Sequence, residues 1–259
     1  MTSIATVWVT RPADTADRTS AALTQAGFHV LAAPLLAVRP VAPEPLPPRA
    51  PDWLVLVSPT AVHGFVAALT HPGFPVPALG SFKVAAVGQS TARAARQAGL
   101  TVNLVPASEH AEGLLVALHS EVRAGACVWI PTGNRHGSAK DALPAALTAI
   151  GAQVCRFHVY DTLARPLAAT DLAALAAATP GAIVLHSPSA ADALFDDTQP
   201  APVMRWRADA ALFAIGARTS ERVRALGGSR VYEAPSPNDA ALVTLLRAQL
   251  VARSFGGPR

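Results

Sequence analysis

The chain has 259 residues, of which 51% are hydrophobic and 15% charged. That balance excludes intrinsic disorder, and the length allows one large domain or two of ordinary size. The formal net charge of +4 comes from dispersed arginines rather than a basic run, and the specific nucleic-acid-binding modules have signatures that are absent here.

Mean hydropathy is +0.32, but alanine carries much of it. No stretch reaches about 18 consecutive apolar residues, so no transmembrane helix is expected. The N-terminal MTSIATVWVTRP lacks a basic region before an apolar core, so it reads as a first strand rather than a leader. Cytoplasmic residence is the corresponding expectation. Cys127 and Cys155 form no CxxC and read as buried small hydrophobes. The histidines are scattered without HExxH or Cys/His spacing, so no metal site is expected.

Six similar units follow in chain order. VWVTRP (7–12), a polar-alanine stretch and AGFHV (26–30) read as strand, helix, glycine stop and strand. WLVLVSPTAVHGFVAAL (53–69) reads as a buried strand opening into a helix. KVAAVGQSTARAARQAGL (83–100) is again strand, tight turn and helix, continuing through VNLVP into AEGLLVAL. The order then restarts: VWIPTG (128–133), IGAQV (150–154), AIVLHSPSAADALF (182–195), LFAIGARTSERVRALGG (212–228) and VYEAPSPNDAALVTLL (231–246).

The landmarks of the two copies keep a near-constant offset. Ser58 and Ser187 are 129 positions apart, Gly88 and Gly216 are 128 apart, and Pro106 and Pro235 are 129 apart. Short apolar strands alternating with helices imply parallel sheets covered on both faces. The chain therefore reads as two α/β lobes. RPVAPEPLPPRAP (39–51) reads as an interdomain connector without periodic pattern, and DTLARPLA (161–168) as a second. By itself the repeat divides the chain near Gly125.

Ser58-Pro59 and Ser187-Pro188 are helix-start signals, serine as N-cap and proline in the first helical position. The turns SPT, SPS, GQST and GART also lie where ligands meet open parallel sheets, at helix starts that favour anions. Both readings, cap and ligand contact, stand for Ser58 and Ser187, and equally for Thr91 and Thr219.

The ordered motifs VTRP, AGFHVLAAPLL, DWLVLVSPTAV, AVGQSTARAARQAG, PASEHAEGLL, GAQVCRFHVYDT, AIGARTSERVRALGG and APSPNDAALVTLL resemble those of uroporphyrinogen-III synthases across nearly the whole chain. The resemblance implies α/β architecture: two flavodoxin-like lobes with parallel sheets, joined by two connecting segments, with a cleft between the lobes. One lobe would be discontinuous, residues 1–38 and 166–259, and the other would be residues 39–165.

It also implies a cofactor-independent, metal-free monomer acting on hydroxymethylbilane, a linear tetrapyrrole with many carboxylates, without nucleic-acid or membrane partners. The reaction is loss of the hydroxyl, formation of a spiro intermediate, inversion of the last pyrrole ring and closure to uroporphyrinogen III. A leaving hydroxide needs a proton or hydrogen-bond donor, and the flexible chain needs its ends brought together. Tyr160, in the tyrosine position of the family's VY-x-T signature, is the implied donor; the other reading is a strand-end tyrosine with a packed ring and a wet hydroxyl. Thr91, Thr219, Ser58, Ser187 and Arg11 are candidate carboxylate contacts. The family's glycine-arginine before the helix of the fourth unit is replaced by TGNRHGSAKDALPAAL, leaving Lys140 or Arg135 for that contact. The alternative function is a non-catalytic two-lobed intracellular protein that binds a tetrapyrrole or small anion in a regulatory role.

Overall fold

The computed structural model describes residues 4–75, 80–134 and 138–255; the side chains of residues 13–15, 17, 138–141 and 251–255 lie outside the description. The chain opens with β1 (Thr6–Val9), α1 (Ala13–Gln25), β2 (His29–Ala32) and β3 (Leu36–Glu44). Next come β4 (Trp53–Leu56), α2 (Pro59–Ala68), β5 (Lys83–Ala86), α3 (Gln89–Gln97), β6 (Val102–Leu104) and α4 (Ala111–His119). The second half holds β7 (Cys127–Gly133), α5 (Ser138–Ala149), β8 (Gln153–Ala164), α6 (Ala169–Ala177), β9 (Ala182–Leu185), α7 (Pro188–Leu194) and α8 (Ala201–Asp209). It closes with β10 (Ala211–Ala214), α9 (Ala217–Ala225), β11 (Val231–Glu233) and α10 (Asp239–Phe255). Among the described residues, no helix is long and apolar enough to cross a membrane.

Local chemistry accounts for many element boundaries. Ser58 Oγ accepts from Ala61 N at 3.0 Å and Ser187 Oγ from Ala190 N at 3.2 Å. Each thereby satisfies one orphan amide of a helix start, with Pro59 or Pro188 in the first turn, where no N–H is needed. Gly99 and Gly227 follow α3 and α9 with φ of 83° and 91°, left-handed stops that a side chain would strain.

Two compact units result: Met1–Ala37 with Leu163–Arg259, and Val38–Thr162. The first contains a sheet of order β11-β10-β9-β1-β2, with parallel pairing at every step. Read in chain order, this is the 2-1-3-4-5 arrangement of flavodoxin-like sheets. The second contains β3-β8-β7-β4-β5-β6, parallel from β8 to β6.

The units do not divide at Gly125, as the repeat alone suggests. Each takes its first strand-helix-strand from one copy and the remainder from the other. Trp8 of the first copy pairs with Ile183 of the second, while Trp129 of the second pairs with Leu54 of the first. The two copies have exchanged their opening segments, β1-α1-β2 for β7-α5-β8.

Two further expectations are corrected. Much of the proline-rich 39–51 is not an irregular linker, because Leu36–Glu44 is strand β3. β3 lies at the edge of its sheet, where Pro40 and Pro43 are tolerated despite their missing N–H groups. The second expected connector begins as strand, since β8 runs on through Ala164.

Strand alternation sends successive side chains to opposite faces. Val7 and Val9 pack with Leu23 of α1 and with Leu242 and Leu246 of α10. Trp8, between them, packs with Leu175 of α6, Leu194 of α7, Trp206 of α8 and Val223 of α9. The helices after neighbouring strands β1 and β9 thus cover opposite faces, which makes the carboxyl ends of this pair a topological switch point. The second unit repeats the arrangement. Leu143 and Leu147 of α5 join Leu114 and Leu118 of α4 on one face, while Val62 and Phe65 of α2 join Ala95 of α3 on the other. Its switch point lies between β7 and β4.

Candidate active site

In the Val38–Thr162 unit, Tyr160 lies at this switch point. β8 carries it past the end of β7, where a register shift between Thr132 and Gly133 brings Gly133 opposite Tyr160. Such a bulge re-aims the side chains beside it. Asn134 N donates to Tyr160 O at 3.1 Å. Asn134 Oδ1 accepts from Thr162 N at 3.0 Å, which fixes the strand beyond the tyrosine. His158 Nε2 lies 2.9 Å from both Tyr160 O and Asp161 Oδ1.

The tyrosine is 7% exposed. Burial pushes its phenol up from the ordinary value of 10, and a hydrogen bond with Ser58 opposes the shift. Ser58, whose oxygen accepts Ala61 N–H at the start of α2, lies beside the phenol.

In the other unit the corresponding switch point holds a buried polar cluster. Arg11, two residues beyond β1, donates to Thr19 Oγ1 at 3.1 Å and lies 3.5 Å from Asp239 Oδ1. Thr19 Oγ1 donates to the same carboxylate oxygen at 3.2 Å, and His186 Nε2, just past β9, is also 3.2 Å from it. Arg18 Nε makes an ion-pair contact of 3.4 Å with Oδ2, an oxygen that accepts no hydrogen bond among the described residues. Burial works against the Asp239 carboxylate, yet the His186 hydrogen bond, the Arg11 charge and Thr19 hold it down to about 2. Burial also lowers the pKa of His186, against the pull of Asp239.

The remaining expected residues are placed as follows. Thr91 and Thr219 occupy the first turns of α3 and α9 and are buried, 1% and 3% exposed. Ser187 caps α7. The first amide of α3, Gln89 N, donates to Glu109 Oε2 at 3.0 Å, so an internal carboxylate sits at that helix start. Lys140 lies in α5, its side chain outside the described residues, and Arg135 falls outside them altogether.

The structure places Tyr160 beside Ser58 and joins Arg11 to Thr19 and Asp239. Sequence reasoning had not singled out Asp239, His186, Thr19, Glu109 or Asn134. Only Asn134 carried a signal, as a polar residue directly after the strand-ending glycine.

Two parallel α/β units with polar residues gathered at the switch points define a two-unit α/β protein of the kind that handles ligands beyond its strand ends. A family model for uroporphyrinogen-III synthase HemD matches residues 17–244. The chain belongs to the uroporphyrinogen-III synthase family. Its fold is similar to that of uroporphyrinogen-III synthetase from Helicobacter pylori, with TM-score 0.66 at 17% identity over 95% of this chain and 99% of that one. It is also similar to a mutant uroporphyrinogen III synthase from the extremely thermophilic bacterium Thermus thermophilus, with TM-score 0.50 at 18% identity over 97% of this chain and 98% of that one. Membership makes this chain a cyclising lyase of porphyrin biosynthesis with a small-molecule tetrapyrrole substrate.

Proposed function

We propose that Tyr160 is the donor in the ring closure of hydroxymethylbilane to uroporphyrinogen III. The observation that carries this reading is a tyrosine buried at the switch point, where the bulge in β7 sets it opposite Gly133 and beside the Ser58 cap of α2. The phenol gives its hydrogen outward. It meets the substrate's hydroxyl as the carbon–oxygen bond breaks, and water leaves. The pyrrole cation left behind is attacked by the far ring to give the spiro intermediate, which reopens and closes with that ring inverted. The proton lost at closure balances the one donated at the start.

A raised phenol pKa suits this task, because the group stays protonated at neutral pH. Positioning contributes as much as proton donation, since holding the chain ends together replaces a search with an oriented encounter. In the same reading the substrate carboxylates are met by helix starts, with Ser187, Thr91 and Thr219 nearby, and by Arg11 and Lys140. Arg11 already faces Asp239, so its part is a shared contact within the cluster rather than a lone cation. The enzyme acts as a cytoplasmic monomer, without nucleic acid or membrane.

The test generates hydroxymethylbilane in situ, adds the protein, oxidises the product and separates type I from type III isomer. Predominantly type III is expected, with loss of rate in Tyr160→Phe. Type I alone, from folded protein, would leave a binding protein without catalysis. Full type III formation by Tyr160→Phe would remove the tyrosine from the mechanism.

A further inference from the structure

Two glycines border the Tyr160 ring, and neither is explained by its own backbone. Neither has a positive φ, so the left-handed conformations that favour glycine are not in use. Gly64 sits inside α2, where alanine is the better helix former. Gly133 ends β7, paired across the bulge with Tyr160 itself.

Space explains both. A Cβ on Gly133 would meet the ring edge, coming within 2.6 Å of Tyr160 Cζ and 3.0 Å of Cδ2, with Cε2 nearer still. A Cβ on Gly64 would lie 2.8 Å from Val159 Cγ2 and 3.0 Å from Tyr160 Cδ1. Both glycines therefore face ring carbons, Gly133 the Cδ2–Cε2 side with Cζ and Gly64 the Cδ1 side. Cζ is the atom that bears the hydroxyl. Any shift forced by a methyl on Gly133 thus displaces the oxygen as well.

We propose that Gly64 and Gly133 are positioning residues, which form a slot that fixes the Tyr160 ring and with it the direction of its hydroxyl. The proposal rests on the reading of Tyr160 as donor for its catalytic consequence, but the slot itself can be measured separately.

The chain has two tyrosines, so Tyr232→Phe leaves Tyr160 as the sole phenol to titrate. In that full-length background the phenolate absorbance should titrate above 10. Gly133→Ala and Gly64→Ala should each move the midpoint down toward 10 as the ring leaves its buried seat. Each should lower kcat for type III product, on the order of 10- to 100-fold for Gly133→Ala, with KM within about threefold. Added to Tyr160→Phe, either alanine should cost little more, because no hydroxyl remains to misplace.

An unmoved titration in both alanine variants would overturn the slot. So would an alanine loss that persists in full beside Tyr160→Phe. A moved titration with wild-type kcat in Tyr160→Phe would leave the slot standing and sink the donor reading instead. If Gly133→Ala does not fold, adding Tyr160→Ala opens the space. Recovered folding identifies the ring as what the methyl meets, and continued failure counts against the slot.

Discussion

Nε2 of His186 lies 3.2 Å from Oδ1 of Asp239, joining the end of β9 to the first turn of α10. The two groups titrate with the same sign. Asp239 is held at about 2 against an ordinary 3.8, so the folded state favours its carboxylate. The stabilisation is complete above about pH 4 and lost as pH falls toward 2, and the fall from 3.8 to about 2 corresponds to about 2.5 kcal/mol. His186 is lowered from 6.5, so the unfolded chain takes up its proton first and stability also falls as pH drops below that value. Denaturant titrations from pH 7 to pH 2 should show this decline. Asp239→Asn should flatten it between pH 4 and pH 2, and parallel curves for the two proteins would refute the assignment.

Ser58 and Ser187 make the same cap but keep different company. Ser58→Ala and Ser187→Ala should each lower stability by about 1 kcal/mol, read as a shift in denaturant midpoint. Only Ser58→Ala should raise the midpoint of the Tyr160 phenol, since it removes the bond that now opposes burial. Equal phenol shifts in both variants would mean that Ser58 does not reach Tyr160.

Tyr160→Phe keeps the ring in its seat and removes the hydroxyl. The variant should keep wild-type stability within about 1 kcal/mol and lose on the order of 10- to 100-fold in kcat, because backbone contacts continue to orient the substrate. Its pH–rate profile should also lose any decline that wild type shows as the phenol ionises.

The exchanged opening segments make a prediction about fragments. Residues 38–162 contain all six strands of one sheet, β3 and β8 each short by two residues, with helices on both faces, whereas residues 1–125 contain β1-α1-β2 without β9, the other strand that β1 pairs with. The 38–162 fragment should unfold cooperatively on its own. The 1–125 fragment should not, and a sharp transition from it would contradict the exchange.

Features set by neighbours in the chain were legible in the residues themselves. Ser58-Pro59 and Ser187-Pro188 start helices where expected, because a side-chain cap needs only an amide three residues on. Gly99 and Gly227 stop helices for an equally local reason, and the alternation of apolar strands with helices announced parallel sheets. The family motifs singled out Tyr160 and Ser58, though as separate residues.

What only the tertiary structure decided are pairings across long stretches of chain. A repeat is the same in sequence whether or not its copies exchange their first segments; which partner β1 takes depends on strand ends far apart in the chain. The strand character of Leu36–Glu44 was hidden by its prolines, which an edge position accommodates. Asp239 meets Thr19 across 220 positions and His186 across 53, separations at which no local pattern constrains either residue. Gly64 and Gly133 looked like ordinary small residues until the fold brought the Tyr160 ring against both, because a need for empty space is visible only once the neighbouring atoms are in place.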